Sequence, residues 1–138
     1  MENNKIQVIV IGAGPSGCAS AITLARAGKK VLLIERGDNA GDKNMFGGAI
    51  FTQQTKELYP NFIEEAPIER AITQHQIIML NDNDSIKFSY KTNINEIPNS
   101  YSVIRSKWDN WCVEQAIKAG AYFAPKTLVK ELIIENGK

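Results

Sequence analysis

Ile6-Gln7-Val8-Ile9-Val10-Ile11 leads straight into Gly12-Ala13-Gly14-Pro15-Ser16-Gly17, and Val31-Leu32-Leu33-Ile34-Glu35 follows about one helix length later. The first run is apolar except at Gln7, which predicts a strand buried on both faces. Pro15 suits the first turn of a helix, where its missing N–H is not needed. Residues 16 to 27 are alanine-rich and place Cys18, Ala21, Ile22 and Ala25 on one face at helical spacing. Gly28 can close that helix in a left-handed conformation. The second apolar run then ends on an acid, which completes a βαβ unit.

Each glycine has a mechanical reason. Gly12 permits the tight turn out of the strand, Gly14 lets a diphosphate approach the backbone, and Gly17 lets the helix pack against the sheet. The first N–H groups of the helix, and the positive end of its dipole, then face the phosphates. Glu35 lies eighteen residues past Gly17, where a carboxylate can accept both hydroxyl protons of an adenosine ribose. Taken alone, this unit suits NAD as well as FAD.

A chain of 138 residues is one domain at most. Sixteen basic residues against fifteen acidic ones give a net charge of +1, unlike a nucleic-acid surface or a polybasic membrane anchor. Neither apolar run is long enough to span a bilayer, and Met-Glu-Asn-Asn-Lys lacks the features of a secretory signal. Cys18 and Cys112 are too few for an iron–sulfur cluster or a zinc site, and no metal site is expected. Buried, reduced thiols in a cytoplasmic protein fit both positions.

Arg36 to Gly48 is a loop of thirteen residues with four glycines, long enough to suggest a function. Gly47-Gly48 would let the backbone pass close to a flat ligand. Thr52 to Tyr59 reads as a short helix with Thr52 as its N-cap, ended by Pro60, and Phe62 to Ala71 is ambiguous. Ile72 to Leu80, the turn Asn81-Asp82-Asn83-Asp84 and Ile86 to Tyr90 make an antiparallel hairpin, an insertion over about residues 72 to 92. His75, the single histidine, lacks partners at suggestive spacing and reads as a surface or packing residue.

Tyr101 to Ile104 is a strand running into Arg105, and Ser106 with Asp109 forms the capping-box pattern S-x-x-D. Trp108, Trp111, Cys112, Ala116 and Ala119 share a helical stripe and belong to the core. Gly120 ends the helix, Ala121 to Ala124 is a strand returning to the parallel sheet, and Thr127 to Glu135 is another. Asn136-Gly137 announces a further hairpin.

The opening unit, the Lys43-Asn44-Met45-Phe46-Gly47-Gly48 loop and Arg105-Ser106-Lys107-Trp108-Asp109 together resemble the N-terminal part of FixC-type flavoproteins. These are relatives of electron-transfer-flavoprotein:quinone oxidoreductase. The chain is similar, more distantly, to geranylgeranyl reductases and aromatic-ring hydroxylases. Glu35-Arg36-Gly37, Gly41-Asp42-Lys43-Asn44, Glu69-Arg70 and Ala119-Gly120-Ala121 look like the FixC branch. The resemblance implies an α/β, Rossmann-like FAD-binding domain of glutathione-reductase type, with a parallel sheet, helices and an inserted antiparallel hairpin. It makes residues 1 to 138 an incomplete, N-terminal part: a βαβ unit over 5 to 35, the insertion, and a strand-helix-strand return over 101 to 135. A later Gly-Asp motif and a C-terminal substrate region would lie outside it.

The cofactor implied is FAD. Gly12, Gly14, Pro15, Ser16 and Gly17 would line the diphosphate, and Glu35, followed by Arg36, would hold the adenosine ribose. Backbone around Phe46, Gly47, Gly48 and Ala49 would pass the flavin. Arg105 would reach the cofactor from the strand-to-helix corner, and Val129 would meet the adenine. Redox chemistry would belong to the flavin, so no catalytic side chain is named. The implied function is passage of electrons from electron-transfer flavoprotein toward quinone, in the cytoplasm or peripherally at the inner face of the membrane. Two alternatives stand beside it. One is an FAD-dependent polyprenyl reductase or NAD(P)H-dependent hydroxylase; the other is a non-catalytic, truncated nucleotide-binding module.

Overall fold

Val8–Ile11 forms β1, Pro15–Arg26 forms α1 and Val31–Ile34 forms β2 in the computed structural model, which describes residues 5–93 and 97–133. The chain divides into two units, Met1–Met45 with Ser106–Lys138, and Phe46–Arg105.

In the first unit β1 and β2 run parallel, with Val8 opposite Val31 and Ile11 opposite Ile34. After α4 (Arg105–Lys118), strand β8 (Tyr122–Ala124) joins the other side of β2, giving the order β1-β2-β8. The small residues of α1 allow a close approach to this sheet. A Cβ on Gly17 would stand 1.8 Å from the Gly12 carbonyl oxygen and 3.5 Å from Val10 Cγ1. Cys18, Ala21, Ile22, Val31 and Leu33 are fully buried, and each large aliphatic side chain among them contributes about 1.5–3 kcal/mol. Gly28, at φ +76°, ends the helix as expected.

The expectation of a first strand covered on both faces does not hold. Ile9 and Ile11 are 57% and 61% exposed. Strand periodicity sends Val10 toward α1 and the two isoleucines to the opposite face. Among the described residues, that second face is left largely uncovered at Ile9 and Ile11.

On α4, Trp108, Trp111, Cys112 and Ala116 are buried as the stripe predicted, and the two indoles lie 5.2 Å apart. The helix opens at Arg105, one residue before the expected Ser106 cap, and Asp109 is wholly buried. Its Oδ2 accepts a hydrogen bond from the Asn44 amide at 3.0 Å.

The second unit begins with β3 (Gly47–Phe51), so Gly47 and Gly48 belong to a strand rather than to the loop. β7 (Ser100–Ile104) lies between β3 and β4 (Ile68–Ala71), antiparallel to both. The strand before α4 therefore joins this sheet, and β8 alone returns to the parallel one. Between β3 and β4 come α2 (Thr52–Leu58) and α3 (Phe62–Glu65). Thr52 is the first helical residue, not the cap; it is buried, and its hydroxyl donates to the Pro98 carbonyl. Phe62 packs edge-on against Tyr101 with ring centroids 5.9 Å apart.

β5 (Gln74–Leu80) and β6 (Ser85–Lys91) form the expected hairpin, with Ile77 opposite Phe88. His75 is half-buried and hydrogen-bonded to Ser100 Oγ at 2.8 Å.

Residues 127 to 133 form no strand. Pro125 and the left-handed Lys126 (φ 56°) turn the chain after β8, and the described residues beyond that turn pair with no strand. The rest of the strand expected over Thr127 to Glu135 and the Asn136-Gly137 turn lie outside the described residues.

Candidate dinucleotide site

The turn from β1 into α1 is built by backbone. Gly12 N donates to the Ile34 carbonyl at 2.7 Å, closing the β1–β2 ladder, and Gly12 itself sits at φ +97°. Gly14 is the N-cap of α1 with φ −75° and ψ 179°, and no side chain caps the helix. Pro15 follows as its first residue, and no acid lies in the first turn. The first intrahelical bond runs from Cys18 N to Gly14 O at 2.9 Å. Helix geometry therefore leaves the N–H groups of Ser16 and Gly17 without an intrahelical acceptor.

Gly14 separates folding from binding. Its φ is ordinary for any residue, and a Cβ built on it would meet nothing within 4 Å. The fold gives no reason for glycine there. Space kept clear at an uncapped helix N-terminus fits a ligand's phosphates.

Glu35 follows β2 and reaches back to this turn. Its Oε2 accepts from Ala13 N at 3.0 Å and its Oε1 from Gly37 N at 2.8 Å. Burial alone would raise its pKa. The two backbone donors, Gly37 before Ala13, with the charges of Lys43 and Arg36, outweigh burial and hold it below the ordinary glutamate value. A carboxylate has about four acceptor positions, so two bonds leave capacity for hydroxyl donors.

Two clefts meet at Glu35 and Arg36. One, of about 170 Å³, is walled by Gly14 and Glu35 on one side and by Asn39, Asp42, Lys43 and Asn44 on the other, with Asp109 in its lining. The second, of about 190 Å³, runs between Ile11, Gly12 and Ile34 and the segment Thr127, Leu128 and Val129. That segment is fixed by backbone bonds, Lys126 N to Gly37 O and Thr127 N to Glu35 O, both 2.9 Å.

Gly12, Gly14, Pro15, Ser16, Gly17, Glu35, Arg36 and Val129 thus gather around one turn and its two clefts. Phe46, Gly47, Gly48, Ala49 and Arg105 gather in the other unit. There the Arg105 guanidinium lies over the Phe46 ring, 5.8 Å from its centroid. A Cβ on Gly48 would make ordinary contact with Arg105 Cδ at 3.5 Å, and one on Gly47 would crowd the Val103 carbonyl at 3.0 Å. Strand pairing therefore accounts for part of the glycine requirement at Gly47.

Sequence reasoning misses the outer wall of the polar cleft. It gives Asn44 as a motif position and Asp109 as a cap, neither as lining. One signal was available: Asp109 stands three and seven residues before Cys112 and Ala116, an acid on the buried stripe.

A glycine turn, an uncapped helix start and an acid at the end of the second parallel strand define a dinucleotide-binding α/β protein. The chain belongs to the FAD-dependent oxidoreductase family, whose sequence model matches residues 7–131. FAD is the cofactor of that family. The chain is 39% identical to the probable electron transfer flavoprotein-quinone oxidoreductase YdiS of Escherichia coli K12, over 100% of its own length and 33% of that protein. It is 38% identical to protein FixC of Escherichia coli O157:H7, again over 100% and 33%. The chain thus spans about a third of the length of these relatives. Among solved structures, a geranylgeranyl bacteriochlorophyll reductase-like protein from Thermoplasma acidophilum superposes with a TM-score of 0.76 and 26% identity, covering 95% of this chain and 32% of the other. The myxobacterial chondrochloren halogenase, at 20% identity and a TM-score of 0.74, covers 95% and 31% and shares the fold.

Proposed function

We propose that this chain is the FAD-binding part of a flavoprotein oxidoreductase that takes electrons from an electron-transfer flavoprotein and passes them toward quinone. The clear space at Gly14, beside free helix N–H groups, supports a diphosphate there. In this reading Gly12, Gly14, Ser16 and Gly17 cradle the diphosphate, Glu35 with Arg36 takes the adenosine ribose, and Val129 borders the adenine. Phe46, Gly47, Gly48, Ala49 and Arg105 serve the flavin end. The bound isoalloxazine supplies the redox chemistry, while the protein positions it. The electron donor and acceptor follow the likeness to YdiS, and the cytoplasm or inner membrane face would be the setting. Among the described residues no helix is long and apolar enough to cross a membrane.

A second reading, reduction of a polyprenyl double bond, rests on the 26% identity to the geranylgeranyl reductase-like structure. Mixing the FAD-loaded protein with reduced electron-transfer flavoprotein separates the two. Bleaching of the flavin bands, followed by reoxidation with a soluble quinone, is the expected result. Flavin that stays oxidised with that donor but is reduced by NAD(P)H overturns the first reading.

A further inference from the structure

We propose that Asp109 is a positioning residue for the cofactor: through Asn44 it holds the loop after β2 as the outer wall of the cleft beside Gly14 and Glu35. This rests on the reading that FAD lies across the glycine turn. Asp109 is 0% exposed, and an acid taken so far from water needs polar partners to be tolerated. One of them is Asn44 Nδ2 at 3.0 Å, sixty-five positions away in sequence.

The first half of the loop is tied to the segment after β8, where Lys126 N donates to Gly37 O at 2.9 Å and Lys126 pairs with Asp38 at 3.5 Å, and the loop is also tied within itself. Gly37 N donates to Glu35 Oε1 at 2.8 Å. Asn39 N and Nδ2 donate to Asp42 Oδ2 at 2.8 and 3.1 Å, and Asn44 N donates to Gly41 O at 2.8 Å. The Asn44–Asp109 bond fixes the far end to α4. Direct contact between Asp109 and a diphosphate would set like charges together. The geometry gives the acid a different role. It orders a neutral amide, and with it the segment carrying Lys43, along the cleft beside Gly14.

The test uses Asn44→Ala, Asp109→Asn and the swapped double variant Asn44→Asp/Asp109→Asn. Amide hydrogen exchange over residues 38 to 44 is read on the unliganded chain, and FAD affinity by quenching of flavin fluorescence. Asn44→Ala is expected to raise exchange in the loop while α1 keeps its protection, and to weaken FAD at least about fivefold. The swap rebuilds the bond with the roles reversed and is expected to restore both readouts to within about twofold of the parent. If Asp109→Asn fails to fold, Asn44→Ala decides alone, since Asn44 is only half-buried. Unchanged exchange in Asn44→Ala, or single effects on affinity that simply multiply in the swap, overturns the proposal. A loosened loop with unchanged FAD affinity overturns this role alone. Unchanged affinity in Gly14→Val overturns the cofactor reading as well.

Discussion

Glu35 and Ala13 are joined by a 3.0 Å hydrogen bond from the Ala13 amide to the Glu35 carboxylate. The same carboxylate accepts from Gly37 at 2.8 Å, so one side chain ties the turn after β1 to the loop after β2. The proposed ribose acid is therefore also a structural strut. Glu35→Ala should weaken FAD by the loss of a charged hydrogen bond, about 1.5–3 kcal/mol, read by fluorescence titration. Unchanged affinity in a folded variant would remove Glu35 from the ribose site.

The strut has a pH signature. The folded pKa of Glu35 is depressed, so the stability it contributes is present above pH 4.5, its ordinary value, and is lost as pH falls through the lower folded value. Glu35→Gln lacks this titration. The gap between the urea midpoints of parent and variant should narrow as pH drops below 4.5. A gap that widens on acidification would contradict the strut.

Gly14 and Gly17 should fail in opposite ways. Gly14→Ala places a methyl group in open space, so stability should change by no more than about 0.5–1 kcal/mol while FAD affinity falls. Gly17→Ala drives a methyl group to 1.8 Å from the Gly12 carbonyl oxygen, an overpacking that costs about 1–3 kcal/mol or more. Thermal unfolding beside FAD titration checks both. A Gly14→Ala protein with lowered stability and unaltered affinity would reverse the roles assigned here.

The βαβ unit was legible because each step has a local cause: apolar runs for strands, small residues for a close helix, Gly28 for its end. The hairpin was legible from the Asn81–Asp84 turn and its flanking alternation. β3 was not, since Gly47 and Gly48 carry no strand propensity and extend only because β7 lies beside them. Residues 127 to 133 misled in the opposite direction, because β-branched and apolar residues there promise a strand and none forms. At the site, Gly12 to Gly17 and Glu35 announced themselves by spacing. The Asn44–Asp109 bond joins residues sixty-five apart, and no local pattern encodes that pairing.

Ile9 and Ile11 lie on the face of β1 turned away from α1. Both are more than half exposed and share that face across the ladder with Leu32. Ile9→Thr and Ile11→Thr, which keep β-branching, should leave the unfolding midpoint of this chain nearly unchanged, within about 0.5 kcal/mol each. They should also lower binding of a hydrophobic dye. A loss of about 2 kcal/mol or more, roughly the cost of truncating a buried aliphatic, would mean that the face is covered.

Cys18 is fully buried on α1. Burial, with smaller contributions from Cys112, Asp109 and Glu35, pushes its thiol far above the ordinary cysteine value. The thiolate is the nucleophile, so native Cys18 should resist alkylation at about pH 8 and react promptly once denaturant unfolds the chain. The same shift carries a stability sign. A raised folded pKa means the contribution is intact below the unfolded value of 9.0 and is lost as pH rises beyond it. Cys18→Ala removes that alkaline loss together with some packing, so its deficit at about pH 7 should shrink by about pH 10. Rapid labelling of Cys18 in the native protein, with cooperative unfolding intact, would show that the α1–sheet contact opens locally.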